Sequence, residues 1–229
     1  MRREAAWLGR RLETIPVAEL SPMLSVGSGT KSFRATYQPW IERDVYEPLD
    51  GREVEVLHHE IEPADGVDVV GDLGEPAVRD HLRELGVRSV LCLNVFEHVL
   101  DRPGLANALV AALPEGGLLV VTVPRRFPYH ADPIDTLFRP TPTELSALFA
   151  GVKLIESGNV TCESLLSHWL SKPGKLIAIR KALTGMRGAK APNETTVSDY
   201  RQFAAPSLSA TLAMMFRSTE ITYAVFRKS

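Results

Sequence analysis

Pro22-Met23-Leu24-Ser25-Val26-Gly27-Ser28-Gly29, residues 22–29, is the stretch on which the reading of this chain turns. Met23 to Val26 makes a short apolar strand, opened by a proline and stopped by Gly27-Ser28-Gly29. A glycine turn after a first strand lets backbone approach a ligand closely and aims helix N-terminal amides at it. The run continues as Thr30-Lys31-Ser32. A dinucleotide fingerprint needs a third glycine where Ser32 stands, and a phosphate-binding Walker loop needs a glycine directly before Lys31. G-x-G alone reads equally well as a plain tight turn.

Upstream, Arg2 to Glu13 is a charged amphipathic stretch whose apolar members are Ala6, Trp7, Leu8 and Leu12, which predicts a helix. Downstream, Glu53 to His59 alternates Val54 and Val56 with acids, and Val67 to Val70 runs into Gly71-Asp72; both read as strands. Glu75 to Leu85 has helical periodicity. Ser89 to Leu93 is a buried strand by its unbroken apolar run. Arg102 to Leu113 is helical, and Pro114-Glu115-Gly116-Gly117 turns the chain into the strand Leu118 to Val123. A short helix from Thr143 to Phe149, with Thr143 as its cap, and a strand from Lys153 to Glu156 follow. Glu220 to Phe226 reads as a final strand. Strands alternating with helices predict a parallel sheet covered on both faces, which binds ligands outside the carboxyl ends of its strands.

The alternation breaks between 161 and 216, which holds Leu165, Leu166, Trp169, Leu170, a basic run around Lys175 and an apolar helix from Ser207 to Met215. It reads as an insertion before the last strand of one domain spanning 1–229, preceded by an N-terminal helix and lead-in over 1–21.

Composition excludes several classes. The 26 Lys+Arg and 28 Asp+Glu leave a net charge of −2, which gives no footprint for general nucleic-acid binding. The two cysteines, Cys92 and Cys162, lie far apart and support neither a disulfide framework nor a structural zinc site. Met1 to Ile15 has acids among its bases and no apolar core after it, so it does not read as a signal peptide, and the longest apolar run, Leu118 to Val123, is too short to span a bilayer. The expected compartment is the cytoplasm. Nothing in the sequence speaks to oligomeric state.

The polar residues at the strand ends carry the functional reading. Glu60 ends the second strand, where an acid can accept both hydroxyls of a ribose. Asp72 ends the third, where a carboxylate can accept an exocyclic amine, and Asn94 ends the fourth. Each alone reads as an ordinary loop residue; their succession does not.

Taken in order, LSVGSGT (24–30), HEIEP (59–63), VDVVGDL (67–73), LCLNVFEHV (91–99) and LPEGGLLVVTVP (113–124) resemble class I S-adenosylmethionine-dependent methyltransferases, in particular the small-molecule group called type 11. The resemblance covers residues 22 to about 158. It implies a Rossmann-like, mostly parallel seven-stranded sheet with helices on both faces, an antiparallel last strand and S-adenosyl-L-methionine as cofactor. Gly27, Ser28 and Gly29 would pass beneath the methionine part. Glu60, with Ile61 beside it, would hold the ribose, Asp72 and the Leu73 backbone the adenine, and Asn94 and Val95 the floor by the reactive methyl. The chain departs from the pattern at Ser25, where an acid is common, at Lys31, where a glycine is common, and in the long intercalated stretch SFRATYQPWIERDVYEPLDG (32–51).

Phe127-Pro128-Tyr129-His130, followed by Pro133, Asp135, Arg139 and Thr141, looks like the H-x-x-P-x-D-x-x-x-R-x-T stretch of a bacterial subset of these enzymes, some tied to glycan or natural-product pathways. His130 there can take a proton from an acceptor hydroxyl, because imidazole titrates near neutrality. Asp135 and Arg139 are candidates for the same site. Alternatively they pair to pin the loop, with His130 merely capping it. Some related O-methyltransferases hold a divalent metal through E-x-x-E-H; here the first position is Asn94, a weaker ligand. Although the Glu97 carboxylate and His98 imidazole could still coordinate an ion, a structural hydrogen-bonding role is the expected one and no metal is assigned.

No [DN]-P-P-[YF] follows the fourth strand, which disfavours methylation of nucleic-acid bases. Lys172, Lys175, Arg180, Lys181, Arg187 and Lys190 give the insertion cations among apolar residues. That suits a lid over the acceptor, and less well a peripheral membrane contact through 161–190. The expected activity is methyl transfer to a small molecule or glycan, O-methylation favoured. A cofactor-binding but non-catalytic partner or regulatory protein is the second reading, and a nicotinamide-dependent oxidoreductase a distant third.

Overall fold

The computed structural model describes residues 1–130, 134–164, 166–167 and 216–229. Its strands are β1 (Met23–Val26), β2 (Val56–Glu60), β3 (Val69–Val70), β4 (Ser89–Leu93), β5 (Leu118–Arg126), β6 (Val152–Ser164) and β7 (Ser218–Lys228). They form a seven-stranded sheet in the order β3-β2-β1-β4-β5-β7-β6. β1 pairs in parallel with β2 and β4, and β5 with β4, whereas β7 runs antiparallel between β5 and β6. The strand order reverses direction at β1. A crevice therefore opens above the carboxyl ends of β1 and β4.

The helices are α1 (Arg2–Glu13), α2 (Val17–Leu20), α3 (Lys31–Tyr37), α4 (Pro39–Ile41), α5 (Glu47–Asp50), α6 (Pro76–Glu84), α7 (Arg102–Ala112) and α8 (Pro142–Ser146). A π turn, Glu42–Tyr46, joins α4 to α5. They cover both faces, which is why the central strands are apolar without alternation. On one face Leu24, Val26, Val90, Cys92, Leu119 and Val121 pack under Leu82 of α6, Ala106 and Leu109 of α7, and Leu145 of α8. On the other, Met23, Leu91, Leu118 and Val120 pack under Ala5, Leu8 and Leu12 of α1, with Trp40, Tyr46 and Leu49 from the intercalated stretch. That stretch is a helical cover of the second face. The apolar stripe of α1 includes Ala5 in place of Ala6, because Ala5, Leu8 and Leu12 share one helical face.

Several boundaries differ from the sequence reading, each for a local reason. β3 begins at Val69 because the Asp68 carboxylate accepts the His58 amide at 2.8 Å, standing in for a ladder carbonyl. β2 begins at Val56 because Glu53 sits at φ 61°, outside strand geometry. α8 is capped by Thr141, with Pro142 in its first turn and Glu144 closing a capping box. β6 extends to Ser164, so Thr161–Ser164 belong to the sheet and the insertion starts later than 161. Polar Ser157, Gly158, Asn159 and Thr161 gave no strand signal; the ladder with β7 imposes the extended conformation on them. Leu165, Trp169, Leu170, the basic residues from Lys172 to Lys190 and the helix Ser207 to Met215 lie outside the described residues, as do Ala131, Asp132 and Pro133. Among the described residues no helix is long and apolar enough to cross a membrane.

Candidate functional site

The turn after β1 is built so that backbone, rather than side chain, faces the crevice. Gly27 and Gly29 take φ of 63° and 73°, a region that side chains disfavour. A Cβ on Gly27 would stand 2.7 Å from Val95 Cγ2, so the turn packs directly against the segment after β4. The amides of Gly27 and Ser28 donate to the His59 carbonyl at 3.0 and 3.4 Å, and the Gly29 amide donates to Glu60 Oε1 at 2.6 Å. The acid at the end of β2 is thereby tied to the turn at the end of β1. Arg34 of α3, which the sequence reading missed, clamps the same turn from below. Its guanidinium is buried and donates to the carbonyls of Gly29 (2.6 Å) and Gly66 (3.1 Å) and to Glu42 (3.1 Å). A cation inside the intercalated stretch was the available signal. Ser25 is buried and shares a 2.7 Å hydrogen bond with Tyr46, whose phenol burial pushes up to about 12. Lys31 is exposed on the first turn of α3.

Further along the edge, Asp72 is exposed and its Oδ1 accepts the Gly74 amide at 2.7 Å, while Leu73 is buried beside it. Ile61 is 65% exposed, an apolar face next to Glu60. Asn94 adopts φ 55° immediately after β4. Its Nδ2 donates to Glu4 Oε1 at 2.8 Å, and its buried Oδ1 has no hydrogen-bond partner. Glu4 is itself buried and also accepts from Thr122 Oγ1 at 2.7 Å. The helix α1 thus reaches the floor of the crevice, which the sequence did not signal.

The loop after β5 supplies the other wall. Asp135 is buried and accepts a two-pronged pair from Arg139, at 3.1 Å (Nη1 to Oδ1) and 2.6 Å (Nη2 to Oδ2). It also accepts the amides of Leu137 (2.8 Å) and His130 (3.0 Å). Burial by itself would raise the Asp135 carboxyl; the hydrogen bonds from Arg139 and the two amides outweigh it and hold the group below its ordinary value. The loop-pinning alternative for Asp135 and Arg139 is therefore what their geometry describes. His130 stands against the pin, its Nδ1 3.1 Å from Asp135 Oδ2. Desolvation lowers the imidazole, against the opposing pull of Asp135.

The loop also carries His130 to Glu97 and His98, which the sequence reading had kept apart from it. The rings of His98 and His130 meet edge to face at 5.2 Å. One ligand-type atom from each of Glu97, His98 and His130 lies within 4.8 Å of the other two. Glu97 is 1% exposed, and burial pushes its carboxyl up to about 8.

No family model matches the chain, and no curated protein matches it. Solved structures do. Coclaurine N-methyltransferase bound to N-methylheliamine and S-adenosylhomocysteine superposes with a TM-score of 0.56 at 14% identity, over 99% of this chain and 70% of that one. A candidate sarcosine dimethylglycine methyltransferase from Galdieria sulphuraria gives 0.55 at 14% identity, over 99% of this chain and 84% of that one. The fold is that of the class I S-adenosylmethionine-dependent methyltransferases.

Proposed function

We propose that the protein is an S-adenosylmethionine-dependent methyltransferase whose acceptor is a small molecule or glycan, with oxygen the favoured acceptor atom. One observation carries this reading. The Gly29 amide and the Glu60 carboxylate are joined at the point where the strand order reverses, which puts a side-chain-free turn and an acid together where a nucleoside ligand binds in such sheets. The orphaned Asn94 Oδ1 adds an acceptor at the floor of the same crevice. These residues fit the cofactor.

When bound, the cofactor supplies an electrophilic methyl carbon on a positive sulfur. The chain's part is to bind, orient and exclude water. Gly27, Ser28 and Gly29 present backbone to the methionine portion. The Glu60 oxygen not engaged by Gly29 accepts ribose hydroxyls, and the exposed Ile61 offers the nucleoside an apolar face. Asp72 and the Leu73 backbone receive the adenine edge, and Asn94 with Val95 floors the reacting end. On the acceptor side His130 receives the hydroxyl proton at Nε2, with Nδ1 oriented by Asp135 and Asp135 fixed by Arg139.

Calorimetry with S-adenosylmethionine and S-adenosylhomocysteine tests the reading. Micromolar binding of both supports it, and no binding of either at millimolar concentration overturns it. The second reading, a cofactor-binding protein without transfer activity, is favoured by Ser25, whose hydroxyl is occupied by Tyr46 where an acid is common. Binding without methyl transfer across hydroxyl, amine and carbon acceptors would select it.

A further inference from the structure

We infer that Glu97, His98 and His130 form a binding site for one divalent first-row transition ion, such as Zn2+, on the acceptor side of the crevice. The hydrogen bonds around the two histidines carry the argument. His98 Nδ1 lies in hydrogen-bond contact with the Ile134 carbonyl, which can only accept, so Nδ1 carries the hydrogen and Nε2 the lone pair. His130 Nδ1 faces Asp135 Oδ2 at 3.1 Å and the Pro128 carbonyl at 3.4 Å, again acceptors only, so its lone pair is also on Nε2. A carbonyl behind one imidazole and a carboxylate behind the other is the outer arrangement that orients metal-ligating histidines.

The carboxylate completes the set. Glu97 Oε1 lies 3.6 Å from His98 Nε2, and Oε2 is buried without a hydrogen-bond partner. One ligand-type atom of each residue thus lies within 4.8 Å of the other two, and with Glu97 as its carboxylate all three offer electron pairs. One proton can satisfy a single pair of these atoms; a divalent ion satisfies all three. Two imidazoles and one carboxylate suit zinc and its first-row neighbours and leave positions open for an exogenous oxygen.

Bonds of about 2.0–2.2 Å to a tetrahedral ion place ligand atoms roughly 3.2–3.6 Å apart. Glu97 Oε1 and His98 Nε2 already meet that spacing at 3.6 Å, and the whole set lies within 4.8 Å, so a small inward adjustment would close it around an ion. Asn94 is not part of the set, because its Nδ2 is held by Glu4 and its Oδ1 belongs to the floor of the crevice.

The purpose of the ion rests on the methyl-transfer reading; its binding does not. With the ion seated, His130 Nε2 is a ligand instead of a proton acceptor. An acceptor hydroxyl on an open position is acidified by the ion. Its O–H bond would break with the proton passing to water. The oxygen's electron pair would form the new bond to the methyl carbon as the carbon–sulfur bond breaks and its pair stays on the sulfur of S-adenosylhomocysteine.

The test uses the full chain stripped with a chelator and titrated with Zn2+ or Co2+ alone, read by calorimetry, by cobalt visible absorption and by thermal unfolding. One equivalent of ion, a cobalt spectrum of mixed nitrogen and oxygen ligation and a raised Tm are expected. His98→Ala, His130→Ala and Glu97→Gln should each weaken binding by about tenfold or more, whereas His81→Ala, on the exposed face of α6, should not change it. Folding of each variant is checked by circular dichroism. Absence of stoichiometric binding to the wild type, or binding that survives in the His98→Ala/His130→Ala pair, overturns the site. Titration of the metal-free chain with S-adenosylhomocysteine keeps the two readings separable, since its failure sinks the methyltransferase reading and not the ion site.

Discussion

Asn94 and Glu4 are 90 residues apart in the chain and joined by a 2.8 Å hydrogen bond from Asn94 Nδ2 to Glu4 Oε1. The same carboxylate oxygen accepts from Thr122 on β5. One side chain on α1 therefore fixes the ends of two central strands at the crevice floor. Replacing it by Glu4→Ala leaves a buried amide and a buried hydroxyl without their acceptor. Urea unfolding should show a loss of about 2–3 kcal/mol, and the affinity for S-adenosylhomocysteine should fall with it. An unchanged affinity would mean that Asn94 does not depend on Glu4 for its orientation.

The glycine turn should be less forgiving than its surroundings. Gly29→Ala adds a Cβ at φ 73° and within 2.7 Å of the Phe33 ring. Binding of S-adenosylhomocysteine should weaken by more than about tenfold, with a stability loss of about 1–3 kcal/mol from the strained backbone. Glu60→Ala should weaken binding comparably but cost only about 1 kcal/mol, the share of one hydrogen bond. Calorimetry and chemical denaturation on both variants separate the two effects.

Asp135 belongs to the loop's construction, and its removal should be felt as folding energy. Asp135→Ala leaves the Arg139 guanidinium mostly buried and unpaired, an outcome that costs about 3–5 kcal/mol. Asp135→Asn keeps the shape and should cost less, while releasing His130 Nδ1 from its carboxylate. A methyl-transfer rate in Asp135→Asn equal to wild type would show that the orientation of His130 does not matter to turnover.

His58 should weaken the fold in mild acid, against Glu97, whose raised carboxyl works in the opposite sense. His58 on β2 has its ordinary value of 6.5 lowered to about 4, by burial first and the nearby Arg34 second, against Asp68. Its Nδ1 is buried without a hydrogen-bond partner. Between these values the unfolded chain binds a proton at His58 that the folded one refuses, so this contribution to stability falls as pH drops from 6.5 towards 4. The Tm of the wild type should decline relative to that of His58→Gln through that window, because Glu97 contributes equally to both. An identical slope in the two would remove His58 as the source.

Much of the fold was legible because it rests on local signals. Arg2–Glu13, Met23–Val26 and Ser89–Leu93 have the bounds that their periodicity, flanking proline and apolar run predict. β6 was legible only in part. Its second half is polar and glycine-bearing, and it is extended because β7 offers a ladder, a partner more than fifty residues further along the chain. In α8 the capping box from Thr141 to Glu144 was present in the sequence and outranks the apolar pattern that pointed to Thr143.

The sequence by itself determined the parallel sheet, the glycine turn at its first strand end and the succession of polar residues along one edge. Those features follow from residue type and from spacing within a few residues, where sterics and burial act. Only the tertiary structure decided which of these residues meet. Glu60 holds Gly29, Glu4 holds Asn94 and Thr122, and the loop after β5 swings His130 onto Glu97 and His98. Such meetings depend on strand order and on the path of a loop pinned by Asp135 and Arg139, and pairings that distant leave no trace in the local pattern of a single chain.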